Sequence, residues 1–266
     1  MRRDRLIDAR KGTGKNQEQV AELLSIDRTT IGKWERGEST PQPNQRGAYA
    51  EALGVTLQEL NAMLSSAPIG DGEMPEWLST YLGMEQSAIE IDTYEPRAVH
   101  GLLQTTAYTK ALVSRVGISG ASDTYVNTAV EQRIHRQKRV RNNDLQLSVI
   151  QPESSLHLLV GDAATMGEQL TTLVELSQLP NVTIRVTTYD AGQYEARRLG
   201  PLSIMIHPWG NPRVYIEGYG GGRDLTDADE VAYFRAAYEQ AARIALSTEK
   251  TRKFITELAK EWSKKK

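Results

Sequence analysis

Residues 16–43, NQEQVAELLSIDRTTIGKWERGESTPQP, leave the chain few ways to fold. Val20, Ala21, Leu24, Ile26, Ile31 and Trp34 form two short apolar stripes at helical spacing. So few residues separate the stripes that the two helices must cross at a tight turn, the pattern of a helix-turn-helix. Asp27 stands where a carboxylate caps the second helix, and Gly37 with Pro41 marks its end, so that helix is about two turns long. Ile31 and Trp34 face inward. The outward residues Arg28, Thr29, Thr30, Lys33 and Arg36 are donors or small hydroxyls, a face that suits the DNA major groove. Two amphipathic helices with a short turn also occur in domains that never touch nucleic acid, and the stripes alone do not separate the two readings.

Finer detail does. Ala21 supplies a small side chain where the helices cross, Gln17 opens the first helix, and the run I-x-K-W-E-x-G closes the second. On these residues, segment 17–37 resembles the Xre family of phage-repressor-type helix-turn-helix proteins. The resemblance implies a five-helix bundle. At the turn, where φ is positive, such motifs carry glycine and this chain has Ser25. A non-glycine residue there costs about 1 to 2 kcal/mol, so a slightly reshaped turn is expected.

Composition narrows the partners. A chain of 266 residues with 39% apolar and 25% charged residues is that of a globular protein with one large domain or two ordinary ones. It has no cysteine, which excludes disulfides and thiolate chemistry. The N-terminal MRRDRLIDARK has no apolar run and no later segment approaches a membrane span, so a cytoplasmic protein is expected. A net charge of −2 gives no bulk grip on nucleic acid. Contact with DNA then falls to local bases: Arg2, Arg3, Arg5, Arg10, Lys11 and Lys15 before the motif, and Arg28, Lys33 and Arg36 within it.

In chain order, a first helix over 3–11 sets Leu6 against the motif. A fourth runs from about Asn44 to Leu53 with Gly54 as its cap, and a fifth follows Thr56. Asn44 and Arg46, at the start of the fourth, are candidates for phosphate contact, while Gln17 with Asn16 would position the motif on phosphate or a neighbouring base. The small, unpatterned 65–75 stretch reads as a joint, which divides the chain into a DNA-binding domain 1–66, a linker 67–75 and a second domain 76–266. From within this joint onward, Asp71, Glu73, Glu76, Glu85, Glu90, Asp92 and Glu95 form an acidic run with almost no neighbouring bases.

The string Tyr94-Glu95-Pro96, then Val99-His100-Gly101-Leu102-Leu103-Gln104-Thr105 with Tyr108, is similar to the signature Y-x-P-x-x-V-P-G-L-L-Q-T-x-x-Y of a domain of unknown function found behind Xre-type motifs in actinobacteria. Segment 130–137 is similar to that family's R-x-x-R-Q helix. His100 replaces the usual proline. The resemblance implies a transcriptional regulator, often encoded beside a small partner protein. The remaining pattern is legible by period. Alternating runs at 145–150, 182–187, 202–206 and 213–217 are strands, the first two joined by helix 162–176 as a βαβ unit and the last two by a hairpin. Helices from Thr226 and around Phe254, Ile255, Leu258 and Trp262 complete a small sheet flanked by helices, an α/β (α+β) domain behind an all-α one.

No catalytic constellation is evident. The histidines His100, His135, His157 and His207 lack metal-ligand spacing, and no nucleophile elbow occurs, so neither catalytic nor metal residues nor a cofactor are expected. The glycine-rich 218–223 loop is read as a flexible connector, because Asp224, Asp227, Asp229 and Glu230 after it would repel a phosphate. Arg133, Arg136, Lys138, Arg139 and Arg141 are read as a solvated face. The expected protein is a non-enzymatic, sequence-specific transcriptional regulator that binds an operator as a homodimer, through an interface on the last helix. The alternative is an antitoxin-like module that sequesters a small partner protein.

Overall fold

The computed structural model describes residues 4–64, 76–115, 120–208, 210–218 and 221–265. The expected linker 67–75, with Asp71 and Glu73, and the bases Arg2 and Arg3 lie outside these. The chain divides into two compact units, the change falling between Leu78 and Ser79.

The first unit is helical: α1 (Asp4–Gly12), α2 (Gln17–Leu24), α3 (Arg28–Arg36), α4 (Pro43–Leu53) and α5 (Leu57–Leu64). Each boundary has a chemical cause. Asn16 caps α2 by accepting from the Gln19 amide at 2.9 Å while the Gln19 side chain accepts from the Asn16 amide at 2.8 Å, a reciprocal box that satisfies two orphan donors. Ser25 ends α2 in the left-handed region, φ 52 and ψ 44, with Ile26 N donating to the Ala21 carbonyl at 3.0 Å. The turn therefore keeps the glycine-type conformation without glycine, and the expected reshaping is corrected. Asp27 caps α3 through the Thr29 amide at 2.7 Å, and Gly37 at φ 75 stops it. Pro43 opens α4, where its missing N–H is no loss. Leu6, Val20, Ala21, Ile31, Trp34, Tyr49, Leu53, Leu60 and Leu64 fill the core, and the Trp34 and Tyr49 rings meet at 5.0 Å. Each large side chain removed from water contributes roughly 1.5 to 3 kcal/mol.

The second unit begins within α6 (Glu76–Ser87) and enters its sheet at the centre. Strand β1 (Glu90–Tyr94) is followed by α7 (Thr106–Ser114) and α8 (Asp123–Arg141). Then come β2 (Gln146–Pro152), α9 (Glu153–His157), α10 (Ala163–Leu176) and β3 (Val182–Thr187). The chain returns through α11 (Glu195–Leu199) to β4 (Leu202–Ile206), β5 (Arg213–Gly218) and β6 (Gly221–Leu225), and ends in α12 (Ala228–Ile244) and α13 (Thr248–Lys264). Sheet order is β3-β2-β1-β4-β5-β6, with β1, β2 and β3 parallel and β4 antiparallel to both β1 and β5. Both the βαβ unit and the β4–β5 hairpin fall where the alternation places them. Alternate residues serve opposite faces: Leu147, Val149, Ile184 and Met205 pack with α10 and α13, whereas Tyr94, Ile150, Ile204 and Val214 pack with α12.

Three expectations are corrected here. Residues 221–225 form edge strand β6, not a connector, with Asp224 held by Arg213 across the hairpin at 3.0 Å; Tyr219 and Gly220 lie outside the described residues. Helix α13 is no free face, because Ile255, Leu258 and Trp262 are buried in the chain's own core against α10. The acidic run is not unopposed: Glu85 meets Arg136, Asp92 lies 3.8 Å from Arg235 and Glu95 lies 3.9 Å from Arg97. Arg136 and Arg235 come from positions far along the chain, which no local reading pairs, whereas Arg97 stands two residues after Glu95.

Candidate nucleic-acid interface

Helix α3 is pinned from one side and open on the other. Ile31 and Trp34 are buried, and so is Glu35, whose carboxylate takes the Arg10 fork at 2.5 and 3.2 Å and the Gln17 amide at 2.7 Å. Arg10 also donates to the Lys15 carbonyl at 2.9 Å. A buried charge is tolerable only when paired and hydrogen-bonded, and here both charges are. Arg10 is thus a brace between α1 and α3 rather than one of the free bases expected before the motif. Sequence reasoning missed Glu35, although its place one helical turn after Ile31 on the buried stripe was a signal.

The outer face carries the proposed readers. Arg28 is 63% exposed, 3.9 Å from Glu18. Lys33 is exposed and enters no ion pair among the described residues. The Thr29 hydroxyl donates to Asp27 at 2.5 Å, and this bond, with the amide bond beside it, holds the Asp27 carboxyl below its usual range. Thr30 is half-buried. Arg36 is exposed and bonded to Glu38. Off the helix, Asn16 is committed to its capping box and Gln17 to Glu35, while Asn44 is exposed and Arg46 donates to the Pro41 carbonyl at 3.1 Å. Arg28, Thr29, Lys33 and Arg36 therefore share one solvent face of about 13 Å length, while Gln17 and Arg46 are engaged by the fold.

In the second unit, the signature residues of segment 94–108 are spent on architecture. Gln151, fully buried, donates to the Glu95 and Ala98 carbonyls and accepts from the His100 amide at 3.2 Å. Gln169 bridges the Leu103 carbonyl and the Thr105 amide, and Gln137 donates to the Gln104 carbonyl at 2.7 Å. The Tyr108 hydroxyl accepts from Val99 N, and Thr105 caps α7. His100, where proline was usual, fixes the loop by itself: its Nδ1 accepts from Leu102 N at 3.4 Å and its Nε2 lies 3.3 Å from the Tyr81 hydroxyl. Burial pushes its imidazole down to about 4, so the ring is neutral at neutral pH. Three glutamine amides and an imidazole thus clamp one loop.

The basic helix is corrected in the same sense. Arg136 binds Glu85 through two bonds at 2.6 and 2.5 Å, and Arg139 donates to the Glu85 and Ala88 carbonyls, satisfying the last turn of α6. Lys138 and Arg141 remain exposed. Elsewhere, an open cleft of about 540 Å³ is lined by Ser87, His207, Asn211 and Arg213, with Ser87 Oγ 3.2 Å from His207 Nδ1. Among the described residues, no group of three or more His, Asp or Glu is placed to hold a metal, and no helix is long and apolar enough to cross a membrane.

Fold and face together define a class: a helix-turn-helix unit joined to a mixed α/β unit. Residues 6–60 match a family model described as helix-turn-helix, and residues 78–257 match one described as a domain of unknown function, DUF5753. That second match covers more than half of the chain, and the protein belongs to the DUF5753 family. It is also 37% identical over 57 residues to the HTH-type transcriptional activator BcrR of Enterococcus faecalis, a stretch that is 21% of this chain and 28% of that relative. The chain thus spans less than a third of the relative's length.

Proposed function

We propose that the protein is a sequence-specific DNA-binding transcriptional regulator. Residues 1–66 bind the duplex, 67–75 link, and 76–266 dimerise or receive a partner or signal. The observation that carries this reading is a helix fixed from within by Ile31, Trp34 and the Arg10–Glu35 pair while Arg28 and Lys33 are exposed on its outer face. The helix-turn-helix match and the likeness to a transcriptional activator support it. Arg28 pairs with a guanine edge, Thr29, Thr30 and Lys33 read neighbouring groups, and Arg36, Asn44 and Arg46 meet phosphate, with Asn16 and Gln17 setting the approach of α2.

A bidentate arginine–guanine pair discriminates by roughly 1 to 3 kcal/mol. Selection of bound duplexes from a random library gives the site, and an anisotropy titration of Arg28→Ala on that site then shows weaker binding and relaxed choice at one base pair. Unchanged affinity and selectivity would remove Arg28 from this role.

One unit reads one half-site, so we further propose a homodimer. With α13 committed to the core, the dimer or partner surface falls elsewhere. The exposed Leu158, Leu159 and Tyr189, at the ends of the parallel strands, are our candidate.

A further inference from the structure

Arg36 does not project from the end of α3. Its guanidinium folds back over Gly32: a Cβ built on that glycine would lie 2.9 Å from Arg36 Nη1. Glycine is a poor helix former, and at this mid-helix position it leaves the space the guanidinium occupies. From there the fork meets Glu38 in two parallel bonds, Nε to Oε1 at 2.6 Å and Nη2 to Oε2 at 3.0 Å. Gly37, at φ 75, makes this possible by reversing the chain directly after the helix, with Glu38 N returning to the Lys33 carbonyl at 2.9 Å. The pair is reciprocal: Arg36 is held above its usual range chiefly by Glu38, and Glu38 below its own chiefly by Arg36.

In a motif of this kind the first turn of the recognition helix meets base edges, so its last turn lies toward the sugar-phosphate wall. A phosphate has the same fork-accepting geometry as a carboxylate. We propose that Glu38 is a built-in competitor for DNA phosphate, occupying the Arg36 fork in the free protein and thereby holding down sequence-independent affinity. The inference rests on the DNA-binding reading above. Contact between Arg36 and a duplex is then an exchange of one oxyanion for another, which leaves sequence choice to Arg28 and Lys33. A chain with a net charge of −2 has no general attraction to offset the exchange.

The test is a set of anisotropy titrations of wild type, Glu38→Gln, Arg36→Met and the double variant, on a random-sequence duplex over a range of salt. Glu38→Gln is expected to tighten binding roughly two- to fivefold. On this random duplex, where the wild-type fork is divided between Glu38 and phosphate, it should also steepen the slope of log K against log salt by up to about 0.9, the value for one recruited phosphate contact. Both gains should vanish in the Arg36→Met background. An equal gain in that background means long-range repulsion alone, and overturns the proposal, as does no gain. NMR titration of the Glu38 carboxyl gives a readout without DNA: it moves up in Arg36→Met, and a value that stays put refutes the pair. Wild-type protein that binds no duplex at low salt defeats the DNA reading and this inference together. That result differs from failure of the inference alone, in which wild type binds and only the Glu38→Gln increment is missing.

Discussion

Glu35 and Asp92 are both carboxylates in sheltered places, and their surroundings give them opposite fates. Glu35 takes three hydrogen bonds from Arg10 and Gln17 and locks a helix. Asp92, on the central strand, has Arg235 at 3.8 Å and the Tyr238 hydroxyl as partners, yet burial together with Glu90 pushes its carboxyl up to about 6. Because its folded value lies above the unfolded one, near 4, the folded protein holds the extra proton between those limits. The stability this carries is full below about pH 4 and lost as pH rises through 6. Asp92→Asn should therefore stabilise the protein at pH 8 by on the order of 1 to 3 kcal/mol and change little at pH 4, in urea melts at the two values. An equal effect at both would refute the assignment. At this scale the sequence was half legible: Arg28, Lys33 and the caps Asp27 and Gly37 follow from spacing. The Glu35 brace does not, since its partners stand 25 and 18 positions away, and neither does the Glu38 counter-charge, which needs the turn geometry at Gly37.

Elements were read most securely where a period ran long enough to average. Strands β2 to β5, helix α10 and the five helices of the first unit all lie within a residue or two of the alternation or stripe that announced them. Strand β6 escaped because Gly221 and Gly222 carry no side chains to alternate and leave only three residues to show a period. Helix α13 was recognised as a helix but assigned the wrong neighbour. An amphipathic stripe says that one face is covered, and not whether the cover is another helix of the same chain or a second molecule. In the structure α10 covers it. Ile255→Ala, at a position with no exposure, should thus destabilise the second unit by about 2 to 5 kcal/mol, seen as a lower melting temperature, while the mass by light scattering stays at the wild-type value. A variant that melts like wild type but changes in mass would restore α13 to the interface. Likewise, segment 94–108 was legible as a motif and not as a role: its meaning lies in glutamines from β2, α8 and α10 that only the fold brings to it.

At the scale of the whole molecule the prediction concerns symmetry. Two copies on a palindromic operator should bind with a stoichiometry of two chains per duplex and half-site centres one helical turn, about 34 to 36 Å, apart. Sedimentation of the complex together with footprinting checks this, and a single chain on an asymmetric site would count against it. The two units also differ in when they can close. Leu64 completes the first core, whereas Trp262 belongs to the second, so a nascent chain presents a finished helix-turn-helix unit while the sheet of the second unit still lacks its α13 cover. A ribosome stalled before Ile255 would therefore display a closed helical unit tethered to a sheet whose apolar face on the α10 side is still unsealed.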